Sequence, residues 1–172
     1  LGLTDPARVR SFYLPQRGVF ELLFRFVDGR FMRLTRDGRQ FWYESDGRLA
    51  TIYDRYETNA IKLRYNQRGQ LVRILDELDR AVEVGWYRPA TDPAFGPFDV
   101  ASADPKKVGH IARVRDYSSR EVRYEYDTNG LLERRVGPTI TEAALGGSAS
   151  ADEARYLYSG CSDPDEAANA IR

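Results

Sequence analysis

From residue 18 to residue 87 the chain alternates apolar and polar positions with a period of two. Phe20, Leu22, Phe24 and Phe26 interleave with Glu21, Leu23, Arg25 and Val27; Ile61, Leu63 and Tyr65 with Lys62 and Arg64; Val82, Val84 and Trp86 with Glu83 and Gly85. Successive side chains of a strand point to opposite faces, so this pattern predicts strands with one buried face and excludes helix over the stretch. Leu49 and Tyr53 against Ala50 and Ile52, and Leu71 and Leu75 against Val72 and Ile74, are apolar on both sides, which predicts strands held between neighbours. Three Asp-Gly-Arg tripeptides, at 28–30, 37–39 and 46–48, recur every nine residues between aromatic-rich segments. Asp-Gly is the residue pair of two-residue hairpin turns with positive φ, so a ladder of hairpins is expected.

A longer period of 22 lies over the short one. Tyr43, Tyr65 and Tyr87 are related by it, as are Gly47 and Gly69, Leu49 and Leu71, Ile52 and Ile74, and Asp54 and Asp76. Each unit reads as tyrosine, polar turn, glycine, strand, aspartate, second turn, second strand. Residues 88–107 carry four of the eight prolines and no alternation, and read as a loop inserted between repeats. The repeat resumes over 108–136: Ile111, Ala112, Val114 and Asp116 superpose on Leu49, Ala50, Ile52 and Asp54, and Val122, Tyr124 and Tyr126 on Ile61, Leu63 and Tyr65 after one deletion. Residues 137–172 read as an irregular tail, Gly-, Ser- and Ala-rich over 137–153, with a last strand expected at 155–158 and a short helix expected over 164–171, capped by Asp163, Pro164 and Glu166. The expectation is one all-β repeat region, a meander of hairpins running into two-stranded units.

The segments beginning Tyr43-Glu44, Tyr65-Asn66 and Tyr126-Asp127 resemble the Rhs, or YD, repeat, and the likeness recurs in register over residues 26–136. The tyrosine-aspartate pair is intact only at Tyr126-Asp127, and the turns after Asp54 and Asp76 lack the glycine common in that family. The resemblance implies a β-ribbon spiralling into a hollow shell. In bacterial members such a shell encloses a C-terminal toxin handled by a secretion or toxin-complex apparatus; teneurins carry a similar shell on animal cells. Implied partners are further repeats, a toxin polypeptide as cargo and secretion-apparatus proteins, with secretion or delivery by a secretion system as the destination. The self-cleaving Asp-Pro-x-Gly motif of such shells is not matched by Asp5-Pro6, Asp92-Pro93, Asp104-Pro105 or Asp163-Pro164, none of which is followed by that glycine. The alternative is a cell-surface adhesion module holding glycans on Trp42 and Trp86.

Charge and composition narrow the chemistry. With 26 basic and 26 acidic residues among 172, the chain lacks the excess of cations that phosphate-backbone binding needs, and no run of about 18 apolar residues marks a membrane span. Neither nucleic acid nor membrane insertion is expected. The chain starts at Leu1 without a basic-then-apolar leader, which reads as a fragment of something longer. His110 is the only imidazole and Cys161 the only thiol, so paired-histidine and cysteine-rich metal sites are excluded, and no Ser-His-acid spacing or matching cysteine signature supports nucleophilic catalysis. Asp54, Asp76 and Asp116 recur at one repeat position. One carboxylate per 22 residues supplies too few oxygens for calcium, and Asx turns that hold the next backbone amides are the better reading. Tyr43, Tyr65, Tyr87, Tyr124 and Tyr126 read as cross-strand packing rather than a sugar-stacking ladder. The abundant arginines alternate with Glu21, Glu83, Glu121 and Glu125 and read as a mixed, solvated sheet face. No catalytic, cofactor-binding or metal-binding residue is assigned, no cofactor is expected, and the role is read as non-catalytic.

Overall fold

The computed structural model describes residues 8–94, 96, 98–140 and 150–158. These residues form β1 (Val9–Tyr13), β2 (Leu22–Phe26), β3 (Phe31–Leu34), β4 (Gln40–Tyr43), β5 (Leu49–Tyr53), β6 (Ala60–Tyr65), β7 (Leu71–Leu75), β8 (Ala81–Pro89), β9 (Val100–Ser102), β10 (Ile111–Arg115), β11 (Glu121–Tyr126), β12 (Leu132–Ile140) and β13 (Ser150–Arg155). All belong to one open sheet whose antiparallel order follows the chain from β1 to β13; β9 alone lies off that path, parallel to β8. The all-β meander is therefore present. The second strands of the 22-residue units, β6 and β8, pair with the strands that precede them.

Two kinds of local signal close the hairpins. In the Asp-Gly-Arg turns, Gly29, Gly38 and Gly47 take φ of 87°, 86° and 87°, whereas the aspartates before them stay at negative φ. The Gly29 N–H donates to Phe26 O and the Phe26 N–H to Arg30 O, and the other two turns repeat this. These are type I turns followed by a glycine bulge, not the two-residue turns that Asp-Gly predicts. The second signal is an Asp or Asn at the first turn position. One oxygen each of Asp54, Asp76, Asp116, Asp127 and Asn66 accepts the backbone N–H groups two and four residues ahead, at 2.8–3.0 Å. The Asx-turn reading holds at all three predicted aspartates and extends to Asn66 and Asp127, two of the three residues at the tyrosine-aspartate position; the third is Glu44. Where the glycine is missing, Glu57, Asp79 and Ser119 take its place at φ of 57°, 55° and 64°. That left-handed conformation costs a side-chain-bearing residue about 1–2 kcal/mol, which the Asx hydrogen bonds help to offset.

Directly opposed residues share a face, so the register traces each face across the strands. On one, here face A, a ladder runs Phe12, Phe24, Met32, Trp42, Thr51, Lys62, Leu75, Ala81. On the other, face B, ladders run Leu23, Arg33, Phe41, Ile52, Ile61; Leu63, Ile74, Val82; and Val84, Val114, Val122. Deep burial is sparse and split between these sides. Met32 is fully enclosed and Phe26 nearly so on face A, while Val84 and Ala112 are the buried apolar residues of face B.

Two expectations about the ends of the repeat region are corrected. Residues 88–107 are not all loop: β8 continues through Pro89, and β9 returns to pair with Tyr87, Arg88 and Pro89. Proline tolerates that position because it closes the strand's end, where a missing N–H costs least. Residues 137–153 are not all irregular, since β12 runs on to Ile140 through Gly137 and Pro138, and β13 starts at Ser150 and ends at Arg155, just where the last strand was expected to begin. The helix expected over 164–171 lies outside the described residues.

Candidate functional site

From β6 onward, face A is a charged surface. Among the described residues it presents Lys62, Arg64, Arg73, Arg113, Arg115, Arg123, Arg134 and Arg155 against Glu83, Glu121, Glu125 and Glu153. Glu83 sits between Arg73 (2.6 Å) and Arg115 (3.2 Å), Glu121 between Arg113 (3.7 Å) and Arg123 (2.8 Å), and Glu153 between Arg134 (3.5 Å) and Arg155 (3.1 Å). Glu125 takes Arg134 at 2.6 Å. The mixed face read from sequence is there, yet cations outnumber carboxylates two to one on it, which the neutral net charge of the whole chain conceals.

Phe98, in the connection from β8 to β9, lies on this face. A Cβ built on Gly85 would run into the Phe98 carbonyl, so only glycine admits the approach. The Phe98 carbonyl accepts Arg113 Nε at 2.8 Å, and its ring lies beneath the Arg115 guanidinium, 3.7 Å from the ring centre. Asp99 fixes the loop from the other side, accepting the N–H groups of Trp86 (3.1 Å) and Gly96 (2.8 Å).

The tyrosines have a second task that the sequence reading missed. Tyr65 Oη donates to Leu49 O at 2.8 Å and Tyr126 Oη to Ile111 O at 2.9 Å, each reaching the first carbonyl of the preceding strand, β5 or β10, with which its own strand pairs. In the intervening unit Trp86, not the period-related Tyr87, does this, its Nε1 donating to Leu71 O at 2.9 Å. The cause is turn length: Asp54 bonds to Asn59 across its turn, but Asp76 only to Arg80, which moves the capping residue back by one. Tyr87 instead donates to Tyr124 O at 3.1 Å and meets Tyr126 edge-on. Burial raises the hydroxyl pKa of Tyr65, Tyr87 and Tyr126. The Leu131 amide hydrogen bond, with that of Asn129, holds the Asp127 carboxyl below its ordinary range. At Asp76 and Asp116 burial opposes the charge, but Arg80 and Arg120 with the turn amides outweigh it, and both carboxyls are lowered.

The singled-out residues do not converge. Trp42 lies on face A and Trp86 on face B, with three strands between theirs, so they share no groove. Trp42 stacks on Phe26 (4.9 Å, 22°), and the Arg30 guanidinium lies 5.6 Å from its ring centre. His110 is half-buried, with Nδ1 3.1 Å from Lys107 O and its ring against Tyr126 at 4.7 Å, a strand-end histidine held by its neighbours. Cys161 lies outside the described residues. No group of three or more His, Cys, Asp or Glu side chains is placed to hold a metal among the described residues. A cavity of about 600 Å³ opens beside Phe26, Asp28, Arg30, Trp42, Thr51 and Tyr53, and a shallower one of about 520 Å³ lies over Lys62, Arg64, Val72, Arg73, Leu75 and Asp79. No protein-family model matches the chain, and no curated protein matches it.

Proposed function

We propose that this chain is a non-catalytic segment of an Rhs-type shell, which encloses or scaffolds a polypeptide cargo such as a secreted toxin used in bacterial competition. One observation carries the reading. The hairpin units add strand after strand in chain order, and on face B the aliphatic side chains Leu63, Ile74, Val82, Val114 and Val122 are only partly buried, Val84 alone in these two ladders being buried. A sheet that leaves an aliphatic face partly open to water has a use for that face. The mechanism is sequestration: face B shields apolar segments of a partly unfolded polypeptide from water while the charged face A stays hydrated. The outer edges of β1 and β13, unpaired among the described residues, are where further repeats would add in the same ladder. The glycan reading draws no support from Trp42 and Trp86, which lie on opposite faces.

Limited proteolysis of the product of the full open reading frame tests the proposal. A repeat shell with cargo yields a protected polypeptide that becomes digestible once the shell is opened by mild denaturant. A product with no further repeats, or with no internally protected polypeptide, overturns it.

A further inference from the structure

Like charges directly opposite each other destabilise a sheet, yet face A sets arginine against arginine three times: Arg64 with Arg73, Arg113 with Arg123, and Arg134 with Arg155. In two of these pairs a carboxylate of the chain itself lies between the guanidinium groups, Glu121 in one and Glu153 in the other. The third pair has no such bridge. Arg73 reaches sideways to Glu83, whereas Arg64 makes one hydrogen bond, to the Leu63 carbonyl at 3.3 Å, and meets no carboxylate among the described residues. Lys62 lies two residues before Arg64 on the same strand and face, 3.4 Å from Asp79, whose side chain is 74% exposed. Arg64, Arg73 and Lys62 surround the cavity of about 520 Å³, and Leu75, on the same face, gives it an apolar side.

We infer that this cavity is a binding site for a carboxylate of an acidic polypeptide segment, a Glu or Asp side chain bridging Arg64 and Arg73 as Glu121 and Glu153 bridge their own pairs. The planar forks of two guanidinium groups suit the two oxygens of one carboxylate, and the ligand's methylene groups would lie against Leu75. Phosphate shares the charge, but the two bridged pairs in the same sheet show which anion this spacing accepts. The inference stands on this geometry alone and does not need the shell.

The test is binding of a fluorescent, end-blocked hexaglutamate peptide to the full chain at low salt, followed by anisotropy. Arg64→Gln and Arg73→Gln are each expected to weaken binding about tenfold, the scale of one charge-assisted hydrogen bond, while Arg123→Gln, in a bridged pair, changes it less than twofold. Arg64→Lys, which keeps the charge but loses the fork, should recover only part of the loss. No binding, equal binding of hexaglutamine, equal loss in Arg123→Gln, or displacement of the peptide by an equal concentration of inorganic phosphate would each overturn the assignment. Peptide binding by a chain whose full-length product encloses nothing would keep this site and remove the shell.

Discussion

Face A changes character along its length while its pairing continues unbroken. Over β2–β4 it carries Leu22, Phe24, Phe26, Met32, Leu34 and Trp42; from β6 onward the same side carries Lys62, Arg64 and the arginine-glutamate groups. Face B changes the opposite way. Over β2–β4 it holds arginines laid over aromatic rings, Arg25 on Phe31 (5.6 Å) and Arg33 on Phe41 (4.3 Å), and from β5 onward it becomes aliphatic. The difference shows that one continuous hydrogen-bonded sheet can turn its apolar residues to opposite sides in its two halves, because strand pairing fixes which residues are neighbours but not which of its faces is apolar. Arginine makes the exchange affordable in the first half. Its flat guanidinium covers a ring, although Arg25 Nε and Arg33 Nε are left without hydrogen-bond partners.

The sharpest way to break this contrast is to remove the core of one half and compare it with the other. Met32→Ala should cost about 2–4 kcal/mol in denaturant melts, since Met32 is fully enclosed, whereas Val114→Ala on the open aliphatic face should cost about 1 kcal/mol. Equal losses would mean that both halves are packed alike. Next, Gly85→Ala should destabilise the chain by about 1–3 kcal/mol by pushing Phe98 off face A, and should speed proteolytic cleavage within 90–99. An unchanged cleavage rate would show that Phe98 does not hold that loop.

The smallest effect separates the tyrosine-capped units from the tryptophan-capped one. Burial raises the folded-state pKa of Tyr65 and Tyr126, so their neutral forms favour the fold. The resulting stability is complete below the unfolded value of about 10 and is lost as pH rises through the higher folded values. Tyr126→Phe should cost about 0.5–1.5 kcal/mol at neutral pH and flatten the alkaline part of the stability curve. Trp86→Phe should lower stability without changing that slope, because indole does not titrate in this range. Parallel alkaline curves for wild type and Tyr126→Phe would rule out the capping hydroxyl as the source.

Much of this was legible in the sequence because its causes are local. Alternation placed the strands, and the recurring Asp54, Asp76 and Asp116 announced turns whose carboxylates fold onto their own backbone amides. Non-local causes left weaker marks. Nothing near Gly85 announces that Phe98, thirteen residues on, will sit over it, and the proline-rich stretch hides a three-residue strand that pairs in parallel. Alternation divides each strand into two sides, but only the register between strands reveals that the side bearing Trp42 is also the side bearing Lys62. The opposed arginines were hidden for the same reason: Arg64 and Arg73, nine residues apart, become partners only when β6 and β7 pair.

The one-residue difference between the turns at Asp54 and Asp76 has an evolutionary consequence. An aspartate clamp closes either length, and the cap on the first strand's carbonyl passes to whichever neighbouring residue, Tyr65 or Trp86, then arrives beside it. A deletion that would flip a free strand inside out is thus confined to a rim, where the next strand recovers its facing. Lineages carrying such units can drift in length, and lose the spacing by which repeats are recognised, while the architecture persists.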